Sequence, residues 1–413
     1  MRITGDRAVA AGSAPGIWRR LMFRALEQIE DGYLVIEENG ETWAFGNPAS
    51  DCRASVEIRD PAVYREFVLG GGLGAAEAYV LKLWDSHDLT RVVQVFARNL
   101  KTLQRGGPLA TLRKTLAWLD HQLNRNTINQ ARRNIAAHYD LGNDLFEHFL
   151  DPSMMYSAAM YPSRDASLED AQTFRLHRIC QKLDLQPDDH LLEIGTGWGG
   201  MALFAARHYG CRVTTTTISR QQFDYAQQRV REAGLEDRVT LLMQDYRDLE
   251  GEYDKLVSLE MIEAVGHQYL STYFRKCNDL LKPDGAMLLQ AITIADQRYD
   301  HYRRNVDFIQ KYIFPGGALP SVSQLAGEIS RATDMTVKHL EDFGQHYART
   351  LRDWCERFNR NSEQLLNQGY DESFQRLWNY YLAYCEGGFR EHNIGVAQLV
   401  LAKPQNRRES ILP

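Results

Sequence analysis

Helical and strand-like patterns alternate regularly between residues 168 and 293. Short segments with the pattern of buried strands occur at 190–194, 211–217, 239–243, 255–258 and 286–293. Helical patterns precede or separate them at 168–184, 199–209, 219–233 and 267–281. Such alternation with short connections predicts an α/β fold, in which a doubly wound, mostly parallel sheet is covered by helices on both faces. Ligands of such folds bind at the carboxyl ends of the strands.

A glycine-rich turn follows the first strand, where residues 193–200 read E-I-G-T-G-W-G-G. Glycine adopts positive φ angles and lets a ligand approach the backbone closely. A dinucleotide site requires an acidic residue at the end of the second strand, but Thr214–Thr217 stand there. Glu193 directly precedes the glycines, where a carboxylate attracts the ammonium group of a methionine moiety and repels a pyrophosphate. The turn therefore favours S-adenosylmethionine over NAD, with a plain strand-to-helix turn as the alternative.

The composition limits the remaining function classes. The net charge of the 413 residues is −6, so no global basic excess points to nucleic-acid binding. The six cysteines stand singly, without a Cys-x-x-Cys pair, and predict neither a disulfide framework nor a metal site. No apolar run reaches the roughly 20 residues of a transmembrane helix, and no secretory signal pattern is present at the start. We therefore expect a cytoplasmic or peripheral protein.

Three regions follow one another along the chain. Residues 1–100 predict a small α+β domain, with helical patterns at 16–30, 60–69 and up to 84, and strands at 33–37, 41–45 and 54–59. Residues 101–135 predict a basic helical connection, because seven Lys or Arg residues and one acid, Asp120, lie between Lys101 and Arg133. Residues 136–404 predict the ligand-binding domain, whose part after residue 295 reads as mostly helical, with an aromatic-rich insertion at 295–360.

Several longer motifs carry a family resemblance. They read H-Y-D-L-G-N-D-L-F-E-H-F-L-D-P-S-M-M-Y-S (138–157), T-I-S (217–219), Q-D-Y-R-D-L (244–249), K-Y-I-F-P-G-G-A-L-P-S (311–321) and F-G-Q-H-Y (343–347). With the glycine turn, they resemble the cyclopropane-fatty-acyl-phospholipid synthase family, which includes mycolic acid cyclopropane synthases and fatty-acid methyltransferases. The resemblance covers roughly residues 30–400. It implies a seven-stranded, Rossmann-like class I methyltransferase sheet and methyl transfer from S-adenosylmethionine to an unsaturated acyl chain of a phospholipid.

The resemblance also implies a cofactor role for particular residues. Tyr156 and Ser157 are expected over the cofactor. Gly195 and Gly197, after Glu193, are expected to touch its methionine part. The positions expected near the ribose and carboxylate are Thr217, Ser219 and Gln222, and those expected near the adenine are Gln244, Asp245 and Tyr246.

The chemistry implied by the family places two demands on the site. An alkene is a weak nucleophile, and its methylation leaves a carbocation. Aromatic faces stabilise a cation without quenching it, and the Tyr and Phe residues between 299 and 314 suit that purpose, although ordinary packing explains any single ring as well. A base must then remove a proton, and in the family a bound bicarbonate does so, held by a Cys backbone, a Glu, a His and a Tyr.

This chain matches that bicarbonate site only in part. Glu263 and Tyr347 match the Glu and the Tyr, whereas Ala158 stands for the Cys and Gln290 for the His. A glutamine carries neither charge nor a transferable proton at neutral pH. A second carboxylate, Glu260, repels an anion further. We therefore expect bicarbonate binding to be weakened or lost.

The expected product changes with this departure. Without a base at the new methyl group, the cation loses a proton from a neighbouring carbon to Glu260 or Glu263. The product is then a methyl-branched or methylated unsaturated chain. Alternatively, Gln290 donates to bicarbonate as a neutral partner and a cyclopropane ring forms. Two further alternatives are a methyltransferase for a soluble small molecule and a non-catalytic lipid- or cofactor-binding homologue.

Membrane contact is expected because the acyl chain must leave a bilayer. The basic segment 101–133 and the Arg-bearing helix 16–30 are candidates for docking on anionic phospholipid at the inner face of the membrane. A solvated linker and a core-packing helix are the respective alternatives. The resemblance alone implies a homodimer.

Overall fold

The structure, a computed structural model, describes residues 16–104 and 141–407. The chain divides into two compact units, residues 1–132 and 133–413. The predicted basic connection, 101–135, lies outside the described residues except for 101–104. Among the helices of the described ranges, none has both the length and the apolar character needed to cross a bilayer.

The first unit contains a four-stranded sheet in the order β2-β1-β3-β4. Its strands are β1 (Tyr33–Glu38), β2 (Glu41–Gly46), β3 (Arg53–Ile58) and β4 (Trp84–Asp85). Its helices are α1 (Ile17–Leu26), α2 (Ala62–Val80), α3 (Leu89–Arg98) and α4 (Leu100–Gln104). The first three strands agree with the sequence patterns to within one residue at each end. The helical pattern at 16–30 extends further than α1, which ends at Leu26.

The helix α2 differs from the prediction of two separate helices. It runs through the glycine triplet and bends there, because Gly71 has φ 56° and ψ −135°, angles that a residue with a side chain rarely adopts. Past its end, Trp84 does not continue a helix as expected. It pairs with Ile58 and begins the short antiparallel strand β4.

The second unit contains a seven-stranded sheet in the order β10-β11-β9-β8-β5-β6-β7. Its strands are β5 (His190–Ile194), β6 (Arg212–Thr217), β7 (Val239–Met243), β8 (Tyr253–Leu259), β9 (Leu281–Ile294), β10 (Thr336–Asp342) and β11 (Ile394–Ala402). The helices before residue 300 are α5 (Asn143–Glu147), α6 (Leu168–Lys182), α7 (Gly200–Tyr209), α8 (Arg220–Glu232), α9 (Leu270–Asp279) and α10 (Asp296–Tyr302). The later helices are α11 (Phe308–Tyr312), α12 (Val322–Ala332), α13 (Gly344–Arg360), α14 (Ser362–Asn367) and α15 (Glu372–Arg390).

The sheet has the predicted parallel part, in which β5 is central. The strands β8 and β9 lie on one side of it, and β6 and β7 lie on the other. The strands β10 and β11 are antiparallel additions beside β9. The sequence analysis placed both in a mostly helical region, and for these two strands that prediction was wrong. The strand β11 is apolar and buried along most of its length, so it lacks the alternation that marks a half-buried strand.

The chain order creates a switch point in the middle of the sheet. From β5 the chain continues to β6 on one side, whereas β8 pairs with the other side of β5. The loops after β5 and β8 therefore diverge, and in open parallel sheets such a divergence forms the ligand-binding crevice. The glycine turn is the loop after β5, and Glu260 lies in the loop after β8.

Candidate active site

The glycine turn forms a cradle at the carboxyl end of β5. Gly195, Gly197 and Gly199 have φ values of 102°, 51° and 85°, in the left-handed region that favours glycine. The amides of Gly195 and Thr196 donate to the carbonyl of Thr216 at 3.1 and 3.0 Å and fix the turn against β6. A Cβ atom on Gly197 would meet nothing within 4 Å, so open space lies beside the middle of the turn. The backbone here has the shape and the room to hold a small ligand.

Glu193, the acid before the turn, is enclosed and only 2% exposed. Its Oε2 accepts a hydrogen bond from the Thr215 hydroxyl at 2.7 Å. Burial raises the pKa of this carboxyl group to about 8. A cation close to Glu193 would favour its ionised form, which is the charge relation expected between this residue and an ammonium group.

The predicted ribose-side residues lie together after β6. The Thr217 hydroxyl donates to Gln222 Oε1 at 3.0 Å and accepts from the Ser219 amide at 3.1 Å. Ser219 caps α8, and its Oγ accepts from the Gln222 amide at 3.3 Å. These three residues thus form one group, joined by side-chain and main-chain hydrogen bonds, next to the glycine turn.

The predicted adenine-side residues follow β7. The Gln244 amide donates to the carbonyl of Thr217 at 3.1 Å, which joins this loop to the previous one. Asp245 binds Arg247 through both carboxylate oxygens, at 2.9 and 2.8 Å, and Tyr246 packs edge-on against Tyr273 at 5.5 Å. The ends of β5, β6 and β7 therefore gather all the predicted cofactor residues except Tyr156 and Ser157.

Tyr156 belongs to an aromatic cluster that reaches the glycine turn. Phe146 lies between Trp198 of the turn, at 4.7 Å between ring centroids, and Tyr156, at 5.1 Å. The Tyr156 hydroxyl is 2.8 Å from that of Tyr381. The neighbouring Ser157 is buried, with its hydroxyl group unpartnered among the described residues.

The aromatic residues at 299–314 have different surroundings. Tyr299 and Tyr302 pack on His267, and Phe308 packs on Tyr380. Among these four residues, the Phe314 ring is the one that contacts Tyr156, at 6.2 Å between ring centroids, and Tyr381, at 6.0 Å. Most of the predicted aromatic segment therefore takes part in ordinary side-chain packing. The ring that packs against Phe314 from α15 is that of Tyr381.

Glu260 is the centre of a second cluster, directly after β8. Its Oε1 accepts hydrogen bonds from the Ala158 amide at 2.9 Å and from Gln290 Nε2 at 2.6 Å. Its Oε2 accepts one from the Tyr347 hydroxyl at 2.7 Å. The structure thus brings three of the four predicted catalytic side chains, Glu260, Gln290 and Tyr347, into direct contact.

The backbone at Glu260 is strained, since its φ of 52° lies in the left-handed region. Such a conformation in a residue with a side chain persists only where the surroundings enforce it. Here the Glu260 amide also donates to the Gln290 carbonyl at 2.8 Å, which ties the turn to β9. The strain aims the carboxylate at its three donors.

Glu263, the fourth predicted catalytic residue, has a different environment. Its Oε1 accepts from the Ile292 amide at 2.5 Å, and its Oε2 is buried without a partner in the described structure. Burial, followed by the nearby charge of Glu260, raises the pKa of Glu263 to about 8. Burial also raises the pKa of Glu260, but three donors and Arg175 oppose that effect. The three donors thus favour the ionised form of Glu260, whereas Glu263 has no donor at Oε2 in the described structure and burial favours its neutral form.

Three polar residues behind Gln290 were missed by the sequence analysis. Arg175 is 0% exposed and donates to Gln290 Oε1 at 3.3 Å and to Gln172 at 3.1 Å. Gln398 donates to the same Gln290 oxygen at 2.9 Å and accepts from Lys182 at 2.6 Å. A signal was present, because Gln398 is the single amide in an otherwise apolar strand and Arg175 lies on a buried face of α6.

The glycine turn after β5 contacts the loop after β8. A Cβ atom on Gly195 would lie 3.2 Å from the side chain of Met261, the residue after Glu260. The cradle and the carboxylate cluster are therefore adjacent parts of one site. Within the described ranges, no group of three His, Cys, Asp or Glu side chains is arranged to hold a metal ion.

Residues 126–399 match the family model described as mycolic acid cyclopropane synthetase. The chain belongs to this family. The resemblance stated from the motifs is thereby confirmed, and the protein is an S-adenosylmethionine-dependent methyltransferase with the class I fold of the family.

Relatives of this family differ in the reaction that their names describe. The tuberculostearic acid methyltransferase UfaA1 of Mycobacterium tuberculosis is 40% identical over 372 residues, which cover 86% of this chain and 85% of that protein. The cyclopropane-fatty-acyl-phospholipid synthase of Escherichia coli is 38% identical over 353 residues, covering 85% and 88%. The cyclopropane synthase MmaA2 from Mycobacterium tuberculosis superposes with a TM-score of 0.60 at 31% identity, covering 66% of this chain and 98% of that chain.

The raised pKa of Glu263 predicts a pH-dependent stability. Between the ordinary value of 4.5 and about 8, the folded protein holds a proton that the unfolded chain has released. This contribution is present in full below pH 4.5 and is lost as the pH rises through about 8. Glu263→Gln should remove it, so that the free energy of unfolding declines less steeply over this window, by up to about 1.4 kcal/mol per pH unit.

Urea unfolding between pH 5 and pH 8 measures this difference. The exposed Glu250→Gln variant serves as the matched control and should retain the slope of the original protein. Equal slopes for Glu263→Gln and the original protein would show that Glu263 is ionised at neutral pH.

Proposed function

We propose that the protein transfers a methyl group to the double bond of an unsaturated fatty acyl chain in a phospholipid and releases a methyl-branched unsaturated product. The names of the relatives support the acyl substrate, since they include a tuberculostearic acid methyltransferase and a cyclopropane-fatty-acyl-phospholipid synthase. One observation carries the proposal that a protein carboxylate replaces bicarbonate as the base: the carboxylate of Glu260 receives the hydrogen bonds of Ala158, Gln290 and Tyr347.

These three donors stand at positions that the family resemblance assigns to bicarbonate. In this chain their hydrogen bonds go to a carboxylate that is part of the protein. A second anion beside Glu260 would meet like charge in a poorly solvated place and would lack these donors. The built-in carboxylate of Glu260 therefore takes the place of bicarbonate as the base.

The cofactor residues fit S-adenosylmethionine. The open cradle at Gly197 has room for the methionine part, with Glu193 as the acid below it. The loops containing Ser219 and Asp245 are the proposed binding partners of the ribose and the adenine. When bound, S-adenosylmethionine supplies an electrophilic methyl group, whose addition to the alkene leaves a carbocation on the acyl chain.

The residues of the site then have separate tasks. The ring of Phe314 lies tilted at 49° to that of Tyr156 and edge-on to that of Tyr381. We assign to these rings the stabilisation of positive charge. A C–H bond next to the cationic carbon breaks, its electron pair forms the new C=C bond, and the proton moves to the Glu260 carboxylate. Glu263 stays neutral at pH 7 and adds no second negative charge.

Cyclopropane formation is the second candidate, favoured by the 38% identity with the Escherichia coli synthase. The same base would then take the proton from the new methyl group, and the C–H electron pair would close the ring.

Product analysis separates the first two candidates. Both products contain one additional CH2 and are isomers, so mass spectrometry detects turnover and proton NMR identifies the structure. Lipid extracts from a host expressing the protein should show new olefinic or methyl-branch signals. The Escherichia coli synthase is the positive control for upfield cyclopropane protons, and the appearance of those protons with this protein would overturn the branched product.

Replacement of Glu260 tests the built-in base. Glycine suits the positive φ at this position, so Glu260→Gly should preserve the turn and vacate the space among the three donors. Loss of the base should lower the rate by about 100-fold or more, and added bicarbonate should restore part of it. The original protein should show the same rate with and without bicarbonate.

Glu260→Gln is the matched control, because it fills the same space without acting as a base. Its rate should be low and should not respond to bicarbonate. A bicarbonate-dependent rate in the original protein would contradict the proposal, as would a Glu260→Gln variant with full activity.

Peripheral contact with an anionic membrane at the cytoplasmic face, through residues 1–100, is proposed as the route to the substrate, with acyl binding in the insertion 295–360. Ile17, Arg20 and Arg24 are exposed at helical spacing on α1, which supports docking there. Arg19 instead pairs with Glu38 at 3.1 Å.

Charge reversal by Arg20→Glu together with Arg24→Glu should reduce cosedimentation with anionic vesicles. Unchanged cosedimentation, or equal binding of the original protein to neutral vesicles, would exclude this electrostatic contact.

A further inference from the structure

We propose that Gln398 and Lys182 are positioning residues for the reaction, which hold the Gln290 amide in the orientation that donates to Glu260. This inference rests on the proposed role of Glu260 as the base. It assigns a task to two buried residues that lie outside the cofactor cradle and the group of donors around Glu260.

The four side chains form a continuous chain of hydrogen bonds. Lys182 Nζ donates to Gln398 Oε1 at 2.6 Å. Gln398 Nε2 donates to Gln290 Oε1 at 2.9 Å, and Gln290 Nε2 donates to Glu260 Oε1 at 2.6 Å. At the outer end, Lys182 also forms an ion pair with Glu341. This series of hydrogen bonds thus runs from the partly exposed carboxylate of Glu341 to the buried carboxylate of Glu260.

The direction of these bonds follows from the chemistry of the end groups. An ammonium group has donors only, so the oxygen of Gln398 faces Lys182 and its NH2 group faces Gln290. Arg175, also a donor only, approaches the same Gln290 oxygen at 3.3 Å. A rotated Gln290 amide would place its oxygen against the Glu260 carboxylate and its NH2 group against two donors. The cations therefore select a single amide orientation.

The burial of this chain argues against ordinary packing. Gln290 and Gln398 are 0% exposed, and the side chain of Lys182 is also 0% exposed. Buried polar groups are costly unless each is paired, and apolar side chains fill such strands at less cost. Here the side-chain amides of Gln398 and Gln290 connect the Lys182 ammonium group to the Glu260 carboxylate.

The ionisation of Glu260 should respond to this chain. The titratable or charged groups that face Glu260 are Glu263 on its own loop, Arg175 on α6, Tyr347 on α13 and Tyr156. A hydrogen bond to the charged form lowers the pKa of a carboxyl group. Loss of the oriented Gln290 donor should therefore raise the pKa of Glu260, and the acidic limb of the rate profile should move to higher pH.

Two variants of the full chain test the proposal. Gln398→Met removes the central amide at similar volume, and Lys182→Met removes the charge that orients it. Each should move the acidic limb of kcat upward by about one pH unit and lower kcat while leaving KM for S-adenosylmethionine unchanged. Lys182→Arg, which keeps a donor-only cation, should restore the original profile.

Lys255→Met is the matched control. Lys255 is another lysine of this unit that is only 3% exposed, and its Nζ donates at 2.6 Å to the backbone carbonyl of Leu183, the residue after Lys182. It therefore controls for the loss of a buried ammonium group next to Lys182. This variant should lower the Tm and leave the pH profile in place. An unmoved profile in both Gln398→Met and Lys182→Met, with the fold intact by circular dichroism, would overturn the proposal. An equal shift in Lys255→Met would do the same.

A second measurement is independent of the product. The carboxyl band of Glu260, assigned in infrared spectra with Glu260→Gln, should titrate at higher pH in Gln398→Met than in the original protein. If it does and NMR shows cyclopropane, the positioning role holds and the branched product fails. If the band titrates unchanged, the positioning role fails whatever the product.

Discussion

The arrangement around Glu260 depends on the burial of one carboxyl group, whose ionised form the surrounding donors favour. A carboxylate removed from bulk water is tolerated only where donors and cations replace its hydration. For Glu260 these come from separate parts of the chain: the Ala158 amide before α6, Gln290 on β9, Tyr347 on α13 and, one contact further, Arg175 on α6. The need to surround this charge fixes these elements relative to one another.

The cofactor cradle depends on a different constraint, the direction of the parallel strands. Because β5, β6 and β7 run the same way, their carboxyl ends and the loops after them meet at one edge. The switch between β5 and β8 then opens a crevice where Gly195 lies against Met261. The topology thus places the glycine turn next to the loop that contains Glu260, the base that we propose.

Much of this was predictable from local patterns. The strands 190–194 and 239–243 were predicted with the bounds that the structure shows, because a short apolar run between helices marks a buried parallel strand. The glycine turn identified the methyl donor. The family motifs predicted that Glu263, Gln290 and Tyr347 belong to one site, and Glu260 was predicted as an additional carboxylate close to Glu263. The antiparallel strands β10 and β11 were missed, since neither a buried edge-adjacent strand nor an exposed edge strand has a distinctive period.

The sequence alone determined which residue types were available: a glutamine in place of a histidine, an alanine in place of a cysteine, and an additional carboxylate three residues before Glu263. It predicted repulsion between that carboxylate and an anion. Only the tertiary structure decided that Glu260 itself receives the three donors and that Lys182 and Gln398 stand behind Gln290. The physical reason is that hydrogen-bond direction and burial depend on residues between 30 and 216 positions apart in the chain, which no local pattern records.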